Sequence, residues 1–157
     1  MDTWMIRAGR GGVYAKSWVE TGIVGIGWDF DGADIASMSH DQLRQAYAGA
    51  HPDYSAGKVG QAASQTAKFA HDIAKGSTVV TYDPEERLYH IGRVAGECVP
   101  TDEIDGVTYK RAVEWKRTAP RDLLAAASRN SLGSLTTIFG ISPEVASDLG
   151  RAAGSIG

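Results

Sequence analysis

Asp102, followed by Glu114 and Lys116, has the acid, acid-x-lysine order with which many nucleases hold magnesium. Metal-assisted phosphodiester cleavage needs carboxylates on the ion and a positive group near the attacking water. The same stretch has a plainer explanation, because Val113 and Trp115 alternate with Glu114 and Lys116 as residues of a half-exposed strand do. A small magnesium-dependent nuclease is therefore an alternative and not the leading expectation. Gly9-Arg10-Gly11-Gly12 has the glycine content of a phosphate cradle. It lacks both the lysine-serine ending of a P-loop and the spacing of a dinucleotide fingerprint, and it reads as a turn. The histidines His40, His51, His71 and His90 show no close metal-ligand spacing. Cys98 is the only cysteine, which excludes an internal disulfide, and a lone thiol of this kind behaves as a small buried hydrophobe. No serine stands in a nucleophile elbow. The expectation is a chain with no metal, no cofactor and no catalytic centre of its own.

The aromatic residues near strand ends point to a different chemistry. Trp28 and Phe30 lie just beyond an apolar segment, and Tyr82 stands where a hairpin is expected. A nucleobase turned out of a duplex loses a few kcal/mol of stacking, and an aromatic ring returns roughly 1–3 kcal/mol per base. Two rings make the exchange nearly neutral. A methyl group adds only about 0.8 kcal/mol on burial, so telling a methylated base from a plain one also needs a tight pocket that leaves the plain base under-packed. The competing reading of each ring is ordinary core packing.

Local patterns say which elements hold these residues. Thr3 to Ala8 alternates in polarity as a short strand and stops at Gly9. Val13, Trp18 and Val19 suggest a short helix closed by Gly22, and Ile23 to Trp28 is an apolar second strand ended by Asp29-Phe30-Asp31-Gly32. Ser39 with Gln42 resembles a capping box ahead of Leu43, Ala46 and Tyr47. After Ser55, the residues Val59, Ala62, Ala63, Thr66, Phe69, Ala70 and Ile73 recur at helical spacing from about Ala56 to Lys75. Ser77–Tyr82 and Arg87–Val94 read as a hairpin around Asp83-Pro84-Glu85-Glu86, with Val107–Lys116 as the next strand. A short helix follows Pro120, and Ser131 to Ile141 is apolar enough for one last buried element. The stretch after Ser142, weakly amphipathic and ending in Ala-Ala-Gly-Ser-Ile-Gly, reads as a tail or linker.

The chain has 157 residues, a common size for one domain, and its formal net charge of −3 argues against indiscriminate attraction to nucleic acid. Basic residues are nonetheless concentrated between Lys110 and Arg129, where Lys110, Arg111, Lys116, Arg117, Arg121 and Arg129 face only Glu114 and Asp122. No stretch approaches the roughly 20 apolar residues that span a bilayer, and the first residues lack the basic and apolar regions of a secretory signal. The expected location is the cytoplasm, with no membrane partner.

The ordered set Trp4-Met5-Ile6-Arg7-Ala8-Gly9, Gly25-Ile26-Gly27-Trp28, Thr81-Tyr82-Asp83-Pro84, Tyr89-His90-Ile91-Gly92-Arg93-Val94, Val113-Glu114-Trp115 and Arg129-Asn130-Ser131-Leu132-Gly133-Ser134 resembles the amino-terminal module of a bacterial restriction-system family. In that family the module precedes an Mrr-type nuclease domain. The module is itself similar to the EVE and YTH branches of the PUA-like superfamily. The resemblance implies an α+β fold: a strongly curved, largely antiparallel sheet or partial barrel, flanked by helices, spanning 1–142. Residues 143–157 would then be a tail or a linker to a nuclease domain, fused or separate. It also implies a reader of double-stranded DNA carrying a modified base, 5-methylcytosine ahead of N6-methyladenine, with an RNA-binding PUA-like module as an alternative. Trp28 becomes a pocket wall, with Phe30 and Tyr82 as partners. Arg7, Ser64, Gln65, Asn130 and Ser131 become contacts to base edges or phosphates, and amides suit a base edge because they both donate and accept. Lys58, Lys68, Lys116, Arg117, Arg121 and Arg129 become contacts to the DNA backbone.

Overall fold

The computed structural model describes residues 2–154. The chain is a mixed α+β fold whose mostly antiparallel sheet curls into half a barrel flanked by five helices. Strands β1 (Thr3–Ile6), β2 (Ile23–Ile26), β3 (Thr78–Asp83), β4 (Leu88–Val94), β6 (Tyr109–Pro120) and β7 (Ile138–Ile141) form the order β2-β6-β4-β3-β1-β7, and the short β5 (Val99–Pro100) pairs with β6. Only β1 and β3 run parallel. Curvature has an identifiable cause at the centre of the sheet. The β4–β6 register shifts between Ile91 and Gly92, so Lys116 is an extra residue in β6, and a bulge of this kind bends the strand and increases its twist. Gly92 permits it, because a Cβ there would come within 2.7 Å of the Glu114 carbonyl oxygen.

Helices α1 (Ala15–Thr21), α2 (His40–Ala50) and α3 (Ala56–Ala67) cover one face of the sheet, and α4 (Ala126–Leu132) and α5 (Pro143–Gly154) cover the other. Two cores result, and the two-residue period of a strand divides its side chains between them. Val79 and Ile6 join Trp18, Leu43 and Phe69 in the first, while Val80 and Met5 join Tyr89, Leu132 and Leu149 in the second. The capping box at Ser39 is present in full: Gln42 N–H donates to Ser39 Oγ, and Ser39 N–H donates to Gln42 Oε1.

Several boundaries differ from the sequence reading. The helix expected over 56–75 ends at Ala67 and continues as a π-turn over Lys68–Asp72. Its last carbonyls are taken by Arg111 of β6, a residue only 3% exposed that donates to Phe69 O, Ile73 O and Gly96 O. Burial lowers the pKa of this guanidinium from its ordinary value. Strand β6 runs on to Pro120 instead of stopping at Lys116, because β4 pairs with it as far as Leu88↔Pro120. The single buried element expected over 131–141 is the end of α4, an exposed connection, and β7. The stretch read as a tail or linker is, through Gly154, helix α5. Its Val145, Leu149, Ala152 and Ala153 are buried, Asp148 Oδ2 accepts the N-cap N–H of Ala125 at 2.9 Å, and Arg151 donates to Leu123 O at 2.7 Å. Residues 155–157 lie outside the described residues. No helix of the described residues is long and apolar enough to cross a membrane.

Candidate functional site

The first strand ends at Ile6 and the second at Ile26, and the residues just beyond these ends border a 390 Å³ cavity. Its side-chain walls are Arg7, Arg10, Tyr14, Trp18, Trp28 and Thr137. Trp28 is half-buried, and its backbone is held in place because Thr108 Oγ1 donates to the Trp28 carbonyl at 2.6 Å. Trp18 comes from α1 and is only 2% exposed, yet its Nε1 has no hydrogen-bond partner. A buried N–H left without an acceptor costs about 1–3 kcal/mol.

Tyr14 is fixed by two glycines. A Cβ at Gly9 would come within 2.4 Å of its ring and one at Gly106 within 2.5 Å, and both glycines adopt positive φ. No carboxylate, histidine or thiol is among the cavity's lining residues. The arrangement suits a flat, mostly apolar ring that offers acceptors to the guanidinium groups of Arg7 and Arg10.

Arg7 also borders a second cavity of 310 Å³, together with Tyr82, Tyr89, Arg121, Arg129 and Ser134. The turn over 9–12 lies between the two spaces, giving Gly9 and Arg10 to the first and Gly11 and Gly12 to the second. Arg7 Nη1 donates to Leu135 O at 2.7 Å, which leaves most of its donors unspent.

The domain family DUF8426, described as a domain of unknown function, matches residues 4–142. The chain belongs to that family. The DUF8426 match starts in β1 and ends just after β7, so it takes in the walls of both cavities. The solution NMR structure of Rpa0253 from Rhodopseudomonas palustris is similar over 100% of this chain and 96% of its own, at 9% identity and a TM-score of 0.43. That likeness is too distant to bear on chemistry. None of the curated proteins matches the sequence.

Within the DUF8426 region the residues singled out from sequence fall into separate places. Trp28 and Arg7 meet at the first cavity, and Tyr82, Arg7, Arg121 and Arg129 meet at the second. Phe30, expected beside Trp28, is core: it is 2% exposed and packs on Tyr47 at 5.0 Å and Tyr109 at 6.1 Å between ring centroids. It lies past the end of β2 at Ile26, where strand alternation no longer fixes the side on which a residue points. Gln65 is buried and its Oε1 accepts from Ile138 N–H at 2.7 Å, so its amide holds β7 to α3 and is not at either cavity. Ser64 is half-buried on α3, and Asn130 and Ser131 are exposed on α4; none of them lines either cavity.

The expected backbone contacts are also dispersed. Lys58 sits over the Tyr54 ring at 3.7 Å, Lys68 opens the π-turn, and Lys116 and Arg117 lie beside His90 and Trp115 on β6. The basic stretch is less exposed than its composition suggests, because Arg111 faces the interior. The nuclease set is not gathered. Lys116 pairs with Glu114 at 3.6 Å, Asp102 lies in the connection after β5, and the described residues contain no group of three or more metal-binding side chains. Cys98 is buried, and burial pushes its thiol up to about 12.

Tyr14 is not singled out by the sequence, and Trp18 is read there only as part of a short helix. The available signal was their position directly after a glycine turn that closes a strand, the same strand-end logic that selected Trp28.

Proposed function

We propose that this protein reads a modified base in DNA, accepting one extruded nucleobase in the cavity beside Trp28. The observation that carries the reading is the meeting of two half-buried rings, Tyr14 and Trp28, around one open space that Arg7 and Arg10 also border. Two rings facing one base roughly offset the few kcal/mol that unstacking costs, at roughly 1–3 kcal/mol per stacked base. The volume is at the small end of the about 300–1,000 Å³ range of small-molecule sites, which favours size discrimination over mere accommodation. Arg7 and Arg10 provide donors for base oxygens or a flanking phosphate.

The curled sheet with helices on both faces is consistent with a PUA-like fold of the EVE and YTH kind, and we read it as one. On this reading 5-methylcytosine is the first ligand and N6-methyladenine the second. The protein acts in the cytoplasm as a recognition module, and strand cleavage is the work of a nuclease domain fused to it or recruited by it. Its negative net charge keeps nonspecific affinity low, so selectivity falls on the cavity.

The test is a fluorescence anisotropy titration, at one fixed salt concentration, against matched duplexes carrying cytosine, 5-methylcytosine, 5-hydroxymethylcytosine or N6-methyladenine. The same strands as RNA serve as competitors. A preference of at least about tenfold for one modified duplex, abolished in a folded Trp28→Ala variant, is the expected result. Equal affinity for all four duplexes, or stronger competition by RNA, overturns it.

A further inference from the structure

The second cavity has a composition that base reading leaves unexplained. Three guanidiniums, those of Arg7, Arg121 and Arg129, border 310 Å³ with no carboxylate among its lining residues. Their donors are only partly used. Arg7 makes one bond to Leu135 O, Arg121 lies beside the Tyr89 phenol, and Arg129 makes no side-chain hydrogen bond among the described residues. Asp122, whose field reaches Arg121 and Arg129, is already paired with Arg87. Cations gathered around one space repel each other, and an anion placed between them removes that cost.

The rest of the lining is apolar and aromatic. The Tyr82 ring is half-buried and lies 4.5 Å from that of Tyr89, and Leu135, 85% exposed, stands at the border of the cavity with nothing covering it. A bare phosphate would use the guanidiniums and leave these surfaces wet. A ligand with a phosphoryl group at one end and a flat body at the other would use both.

We infer that the cavity bounded by Tyr82, Tyr89, Arg7, Arg121 and Arg129 is a nucleotide site, taking a nucleoside monophosphate with its phosphate among the arginines and its base against Tyr82. Arginine suits the phosphate because its planar fork gives two parallel hydrogen bonds to two oxygens. The nucleotide comes either from solution or from a nucleic-acid strand lying across the turn over 9–12. This site stands apart from the base cavity, since of the side chains only Arg7 belongs to both.

The test is calorimetric titration of the whole chain with each of the four deoxynucleoside 5′-monophosphates, with the matching nucleosides, and with inorganic phosphate. At least one monophosphate should bind about tenfold or more tightly than both its nucleoside and inorganic phosphate. Arg129→Gln should weaken that binding about tenfold with an unchanged melting temperature, and Tyr82→Ala should weaken the monophosphate but not inorganic phosphate. Trp28→Ala should leave all of it unchanged, which separates failure here from failure of the base reading. Displacement of the bound monophosphate by saturating duplex identifies a strand as the source, and retention identifies a free nucleotide; either result supports the site. Monophosphates that bind no tighter than nucleosides, or a folded Arg129→Gln variant that binds them as the parent does, overturn it.

Discussion

Arg111 and the arginines of the second cavity carry the same side chain in opposite circumstances. Beneath β6, Arg111 is almost fully buried and its donors reach three carbonyls, two at the end of the π-turn and one at Gly96. Beside Tyr82, Arg121 and Arg129 border open space, and Asp122, a carboxylate whose field reaches both, is paired with Arg87. A cation buried and bonded to backbone in this way is part of the architecture. A cation with open donors next to a void is equipped to receive something. The same contrast divides Phe30, packed between two tyrosines, from Trp28, which faces a cavity.

The contrast is broken most directly at the buried members. Phe30→Ala should cost about 3–5 kcal/mol of unfolding free energy in denaturant titrations, as for other buried aromatics, while Trp28→Ala costs clearly less and acts on binding. Equal losses would erase the distinction between them. Arg111→Met should lose about 3 kcal/mol, because three carbonyls lose their donor, with ligand affinity per folded molecule unchanged. Arg129→Gln is the counterpart: stability within about 0.5 kcal/mol of the parent, with the whole effect in affinity.

The smallest effect belongs to Asp148, an anion whose partners are complete. Hydrogen bonds from the Ser128 hydroxyl, the Ala125 N–H and Arg151 hold its carboxyl down at about 2. A carboxylate with a lowered folded pKa adds stability that is full above the ordinary value near 3.9, and that stability fades as pH falls towards 2. Asp148→Ala should cost about 1 kcal/mol at neutral pH, as loss of a helix cap does, and should flatten the stability profile between pH 4 and 2 measured by thermal melts.

Elements whose cause is local were legible in the sequence. The Ser39 cap, the hairpin around Asp83-Pro84-Glu85-Glu86 and the apolar stripe of α3 each depend on residues a few positions apart, and each is where it was expected. Trp28 was legible as a strand-end ring. What failed depended on distant partners or on the direction of a turn. Phe30 has the same parity as Trp28, but both lie past the end of β2 at Ile26, where strand alternation no longer sets the side of a residue. The division of Tyr82, Arg121 and Arg129 from Trp28 follows from where the turn over 9–12 lies, which no periodicity reports. The amphipathic pattern after Ser142 was seen but not its surface of contact, because that surface is made by β6 and α4.

The placement of β1 has a consequence for how the fold assembles. The strand is flanked by β3 on one side and β7 on the other, with Met5 opposite Val80 and Phe139. Pairing of such long sequence separation slows folding. Until β7 docks, the outer edge of β1 stays open to any passing strand.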